Sequence, residues 1–179
     1  MFQDSIFVKQ NFHDMEVKQE QHFEEYMRQC ITLAETALKS GNPPVGSIIV
    51  CDGKVIGKGI ESGKTTGDVT NHAEILAVKD AINGGHIHLL TQAQMFSTHE
   101  PCIMCSYVIR QHKIPHIIYG TAVPGIGGAT SKFNVLTTEE VLQWGKGPKI
   151  TKGISANECD GLTARYAIER KRNKINQFQ

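Results

Sequence analysis

The sequence predicts an α/β protein in which a mixed sheet is covered by helices, and three observations lead there. Asp52-Gly53 joins two β-prone runs and reads as the turn of a type I′ hairpin. Beyond it, segments with helical spacing alternate with short apolar runs of strand character. A chain of 179 residues with 40% hydrophobic content can bury one real core, and no linker or repeat argues for a second.

Residues 1–20 lack apolar periodicity and read as an N-terminal extension to a single domain over 21–179. From His22 to Lys39, Phe23, Tyr26, Met27, Cys30, Ile31, Ala34, Ala37 and Leu38 recur at helical spacing, and Gly41 ends that helix. Pro43-Pro44 turns the chain into a strand over 45–51, rich in Ile48, Ile49 and Val50, and Lys54 to Ile60 is its hairpin partner. The polar stretch Glu61 to Thr70 reads as a loop. A helix then runs from about Asn71 to Ala81 on Ile75, Leu76, Val78 and Ala81, and Asn83-Gly84-Gly85 stops it. Met95 to Thr98 is a short strand, and Pro101 is expected in the first turn of a helix reaching His112. His116 to Tyr119 is the next strand, followed by a loop containing Gly120, Gly125, Gly127 and Gly128. Lys149 to Ile154 completes the strands. Ser155 and Glu158 have the spacing of a capping box for a final helix carrying Leu162, Tyr166 and Ile168.

Composition narrows the function classes. Lys and Arg number 19 against 18 Asp and Glu, so a nucleic acid or a membrane would have to be met by a local patch rather than a global field. Arg165, Arg170, Lys171, Arg172 and Lys174 form one basic stretch that suits either RNA phosphates or a solvated helix end. With no secretory signal and no spanning stretch of about 20 apolar residues, no membrane role is expected and the cytoplasm is the expected location. The odd count of five cysteines suits a reducing compartment, with Cys30, Cys51 and Cys159 read as core residues.

Cys102 and Cys105 are different. His72-Ala73-Glu74 opens one helix and Pro101-Cys102-Ile103-Met104-Cys105 opens another, and thiols at i and i+3 share one helical face. One imidazole and two thiolates suit zinc with a fourth position left for water, the arrangement of a catalytic site. Glu74, a hard carboxylate two residues from His72, is better suited to carrying protons than to ligating. Taken alone, H-x-E is a weak signal, and C-x-x-C fits a structural zinc or a redox pair. His99, beside Glu100, is a further candidate for contact with substrate or metal, whereas His86, His88, His112 and His116 have no ligand spacing.

The order H-x-E then P-C-x-x-C resembles the cytidine deaminase-like superfamily of zinc-dependent nucleobase and nucleoside deaminases. The similarity extends over residues 25–172, through Pro44-Val45-Gly46, Val55 to Gly59 and Glu100 to Cys105, and is strongest to the branch of bacterial tRNA adenosine deaminases and guanine deaminases. It implies a three-layer α/β/α sandwich with a five-stranded mixed sheet, a homodimer, one Zn2+ per chain on His72, Cys102 and Cys105, and Glu74 as catalytic residue. Ala73, Glu61, Pro101 and His99 are the candidate substrate or oxyanion contacts. Two positions depart from that branch: Glu61 stands where it carries Asn, and Thr70-Asn71 where it carries a Pro-Thr-Ala run. These departures favour a small nucleobase or nucleoside substrate, purine-like or guanine-like, over tRNA. The alternatives are wobble-adenosine deamination of tRNA and a noncatalytic zinc-stabilised binding module.

Overall fold

A computed structural model describes residues 2–176, giving the backbone alone for residues 2–20, Lys174 and Asn176. The first helix, α1, spans Phe2–Lys39 and so begins well ahead of His22. The apolar signal in residues 2–20 is short, with Val8, Phe12 and Met15 at helical spacing among polar residues, and the segment continues the helix that follows it. The hairpin follows as β1 (Gly46–Cys51) and β2 (Lys54–Ile60), antiparallel, with Asp52 at φ 48° and Gly53 at φ 74°. Two consecutive positive φ values are what a type I′ turn requires.

Within the expected loop lies a short helix, α2 (Gly63–Thr66), before α3 (Ala73–Asn83). A 3₁₀ turn over Ile87–Gln92 leads to β3 (Gln94–His99), and α4 (Ile103–Gln111) follows. Pro101 is not in the first turn of α4. Cys102 is the N-cap, extended at φ −69° and ψ 175°, so Pro101 precedes the cap. Next come β4 (His116–Thr121), a long irregular segment with a 3₁₀ turn at Leu142–Trp144, β5 (Lys149–Lys152) and α5 (Ala156–Asn176). The capping box is not formed as expected, because Ser155 sits at φ 51°, in the left-handed region rather than the extended conformation of an N-cap.

The five strands lie in the order β2-β1-β3-β4-β5. Pairing is antiparallel from β2 through β1 to β3 and parallel from β3 through β4 to β5, which makes the sheet mixed. Alternation along the central strands divides the core into two. Ile49, Met95, Ile117 and Tyr119 face Ala77, Val78 and Ala81 of α3 and Ile109 of α4. Their neighbours Ile48, Val50, Phe96 and Ile118 face Phe23, Met27 and Cys30 of α1 and Cys159 of α5. These are the three layers that the resemblance implies.

Register then fixes where chemistry can gather. Gly46 pairs with Ile60 and Ser47 with Ser97, so the C-terminal ends of β2 and β3 share one edge of the sheet. The chain leaves that edge towards α3 in one case and towards α4 in the other. Both helices therefore open beside each other.

Candidate active site

His72 is the N-cap of α3 and Cys102 the N-cap of α4, while Glu74 and Cys105 lie within the first turns behind them. The positive ends of both helices thus point at one small volume, which favours thiolate and carboxylate there. Two glycines of β2 bring α3 into place. A Cβ at Gly57 would overlap the carbonyl of Ala77, and one at Gly59 would overlap the carbonyl of Ala73, so the helix lies directly on the strand backbone.

Cys102 Sγ lies 3.6 Å from Cys105 Sγ, and His72 Nδ1 lies 3.5 Å from each sulfur. A tetrahedral zinc with Zn–S of about 2.3 Å and Zn–N of about 2.05 Å separates its sulfurs by about 3.8 Å and sulfur from nitrogen by about 3.6 Å. The donor triangle already has the dimensions of a zinc shell, and these three residues are positioned to bind the ion. Their protonation is coupled. The neighbouring Cys105 thiol, with His72, pulls Cys102 down to about 4, and the hydrogen bond to Cys102 raises His72 to about 9. Cys105, beside the Cys102 sulfur and buried, is pushed up.

Glu74 is 4% exposed, with Oε1 accepting a hydrogen bond from Ser97 Oγ at 3.0 Å and Oε2 3.3 Å from Cys105 Sγ. Burial raises its pKa, with the Cys102 sulfur adding to the effect. A carboxyl held towards its neutral form beside the ligand triangle can both take and return a proton.

The remaining sequence candidates take several positions. A cleft of about 170 Å³ is lined by Glu61, His72, Glu74, His99 and Cys102, together with Pro43, Val45, Glu100, Val123 and Ile126. Glu61 is only 5% exposed; its Oε1 accepts from the Gly63 N–H at 2.9 Å, and burial raises its pKa against that bond. Ala73 is fully buried. His99 has both ring nitrogens engaged, with Thr98 Oγ1 at 3.2 Å and Thr163 Oγ1 at 2.9 Å. Pro101 does not line the cleft, and its carbonyl accepts from the Gly128 N–H at 2.9 Å.

Ser97 and Glu100 escaped the sequence reading. For Ser97 the signal was strand alternation, which puts it on the same side of β3 as Met95 and hence under α3. Glu100 stands in sequence next to Pro101-Cys102, but its partners lie in the glycine-containing loop that follows β4, and no periodicity announces them.

Comparison with known proteins agrees with this geometry. Residues 20–121 match the family model for the cytidine and deoxycytidylate deaminase zinc-binding region. A tRNA-specific adenosine deaminase of Streptococcus pyogenes serotype M18 (strain MGAS8232) is 34% identical over 152 residues, covering 83% of this chain and 93% of its own. Among solved structures, one from work on A-to-I editing by tRNA:A34 deaminases at the wobble position superposes with a TM-score of 0.71 at 26% identity, covering 77% of this chain and 98% of its own. Guanine deaminase from Bacillus subtilis superposes with a TM-score of 0.52 at 29% identity over 55% of this chain and 64% of its own. The chain belongs to the family of the cytidine and deoxycytidylate deaminase zinc-binding region, and it is a zinc-binding hydrolytic deaminase acting on C–N bonds.

Proposed function

We propose that this deaminase converts an adenosine of tRNA to inosine. The observation that carries the RNA reading is where α5 begins its basic run. Thr163 of α5 hydrogen-bonds His99 in the wall of the cleft, and Arg165, Arg170, Lys171 and Arg172 follow, exposed, along the same helix. At about 1.5 Å per residue these cations extend roughly 14 Å from the cleft, a reach suited to successive backbone phosphates. Lys64, over the Tyr166 ring at 5.6 Å, adds a cation beside that helix. The similarity to tRNA-specific adenosine deaminases supports the same reading, and it reverses the preference for a small base that Glu61 and Thr70-Asn71 suggest.

In the reaction, water adds to the ring carbon bearing the amino group, and ammonia leaves as that carbon becomes a carbonyl. His72, Cys102 and Cys105 would hold a zinc ion, whose Lewis acidity would lower the pKa of water to about 7 there. Glu74 takes one proton of the attacking water and passes it to the adjacent ring nitrogen, then takes the remaining proton from the hydroxyl formed on the ring carbon and delivers it to the amine, which leaves as ammonia while that carbon becomes a carbonyl. Ser97 holds one Glu74 oxygen, which leaves the other directed to the ligand triangle. Apolar Val45, Val123 and Ile126 shield the ring from bulk solvent.

Glu61 favours a second reading, a free guanine-like base. A buried carboxylate only accepts hydrogen bonds, and guanine presents adjacent N–H donors along one edge. Burial also favours the protonated carboxyl, which donates and accepts as the Asn expected at this position would, so Glu61 is compatible with adenosine too. We further propose that the enzyme is a homodimer, that residues 21–179 form its catalytic domain, and that it works in the cytoplasm. Its five free cysteines suit that compartment, and among the described residues no helix is long and apolar enough to cross a membrane.

The test compares kcat/KM for tRNA, adenosine and guanine with the unmodified chain and with a variant combining Arg170→Ala, Lys171→Ala and Arg172→Ala. Adenosine in tRNA is expected to be the best substrate. The variant should lose about tenfold or more on tRNA near physiological salt and nothing on free bases. Turnover of guanine with none of tRNA would replace the first reading by the second.

A further inference from the structure

Glu100 is 2% exposed and faces no cation within ion-pair distance among the described residues. Its two oxygens are spent on one loop. Oε2 accepts from the Val123 N–H at 2.8 Å, and Oε1 from the Ala129 N–H at 2.8 Å and the Thr130 N–H at 2.7 Å. The Thr130 hydroxyl donates to Oε2 as well. The loop is also stitched to the turn that carries the ligand cysteines: Gly127 bridges Cys102, Ile103 N–H donates to the Ile126 carbonyl at 3.1 Å, and Gly128 N–H to the Pro101 carbonyl at 2.9 Å. Gly127 has to be glycine for this, since a Cβ there would overlap the Glu100 carboxylate.

This loop supplies Val123 and Ile126 to the cleft. Ile126 is 52% exposed, a large apolar side chain held in solvent at the mouth by the backbone bonds around it. An irregular glycine-containing loop has no ladder of its own to keep such a side chain in place. The carboxylate next to Pro101-Cys102 does so instead, and it ties the wall of the cleft to the residue that holds the metal.

We propose that Glu100 is a positioning residue that fixes loop 123–130 as the apolar wall of the cleft, and that Ile126 on that wall contacts the purine ring. The ring contact rests on the purine reading given above, whereas the ordering of the loop does not. Gln at position 100 offers one acceptor oxygen and turns an NH2 group towards N–H donors, so it cannot hold the loop. Asp keeps both oxygens on a shorter arm and should restore part of the order.

Two measurements on the zinc-loaded full chain test this. In the first, hydrogen exchange at the amides of Val123, Ala129 and Thr130 should speed up about tenfold or more in Glu100→Gln, less in Glu100→Asp, and not at all in Ile126→Ala, with zinc content unchanged. Where Glu100→Gln does not hold zinc, Glu100→Asp carries the measurement. Unaltered exchange in the Glu100 variant that holds zinc would overturn the positioning role. In the second, the Kd for 2-aminopurine riboside, followed by its fluorescence, should rise about tenfold in Ile126→Ala and in Glu100→Gln. KM for the best substrate should rise with it and kcat should change little. A probe that the unmodified chain does not bind, or binds equally well in Ile126→Ala, would overturn the ring contact, as would a fall in kcat at constant KM. Failure to turn over any adenosine or guanine substrate would count against the substrate reading alone, because exchange at the loop amides is measured without substrate.

Discussion

The role proposed for Glu74 rests on two neighbours that treat its oxygens differently. Ser97 donates to Oε1 from beneath, and Oε2 is left facing the ligand sulfur of Cys105. Replacing the carboxylate by an amide keeps the shape and the Ser97 contact but removes the titratable group on which the proposed proton transfers depend. Glu74→Gln is therefore expected to retain zinc, measured by metal analysis, and to lose about 10²- to 10⁴-fold in kcat. Near-normal turnover would assign the proton transfers elsewhere. At this scale the sequence was most informative. His72, Cys102 and Cys105 declare themselves because the spacing of ligands along a helix start is itself the geometry of the site, and Glu74 lies beside them on the same turn as His72. Glu61 and His99 also reach the cleft, although the His99 ring is held at both nitrogens. Ser97 and Glu100 act across long sequence separations, through register and loop backbone, which no local pattern encodes.

Among the elements, the contact of α3 on β2 decides whether the site exists. Gly59 meets the backbone of Ala73, and an added Cβ would also come within 2.6 Å of the Ala77 nitrogen. Because the obstacle is helix backbone rather than a flexible side chain, Gly59→Ala must push α3 away, and His72 and Glu74 move with it. The expected cost is about 1–3 kcal/mol in unfolding free energy, with reduced zinc content at equal metal concentration. Full stability and full zinc in that variant would show that the close packing does not position the ligands. Long periodic elements were legible: strands β1 to β4 and helices α3 and α4 lie within a few residues of where apolar spacing puts them. The pieces that escaped, α2 and the two 3₁₀ turns, are too short for periodicity and depend on tertiary contacts such as Asn42 Oδ1 accepting from the Thr65 N–H at 3.0 Å.

At the scale of the molecule, one sheet separates two apolar layers and opens its chemistry at a single edge. The opposite edge carries a pH-sensitive group. His116, at the start of β4, lies between Gln94 Nε2 at 3.1 Å and Thr151 Oγ1 at 2.9 Å, with the Phe23 ring 5.7 Å away and Lys149 nearby. Burial foremost, and then Lys149, lowers its pKa to about 4, against about 6.5 in an unfolded chain. Between those values the unfolded state binds more protons than the folded one. The contribution is thus complete above about 6.5 and is lost as pH falls towards 4. Denaturant midpoints should drop between pH 7 and pH 5, and His116→Gln should flatten that slope; an equal slope in both proteins would exclude His116 as its source. Hydrolytic deamination at this site is tested most simply by ammonia release from the zinc-loaded chain in H₂¹⁸O, using tRNA, nucleosides and free bases. One ammonia is expected for each ¹⁸O carbonyl, with labelled inosine recovered from tRNA and no release by Cys105→Ala. No ammonia from any substrate, or ammonia without incorporated label, would contradict hydrolytic deamination at this site.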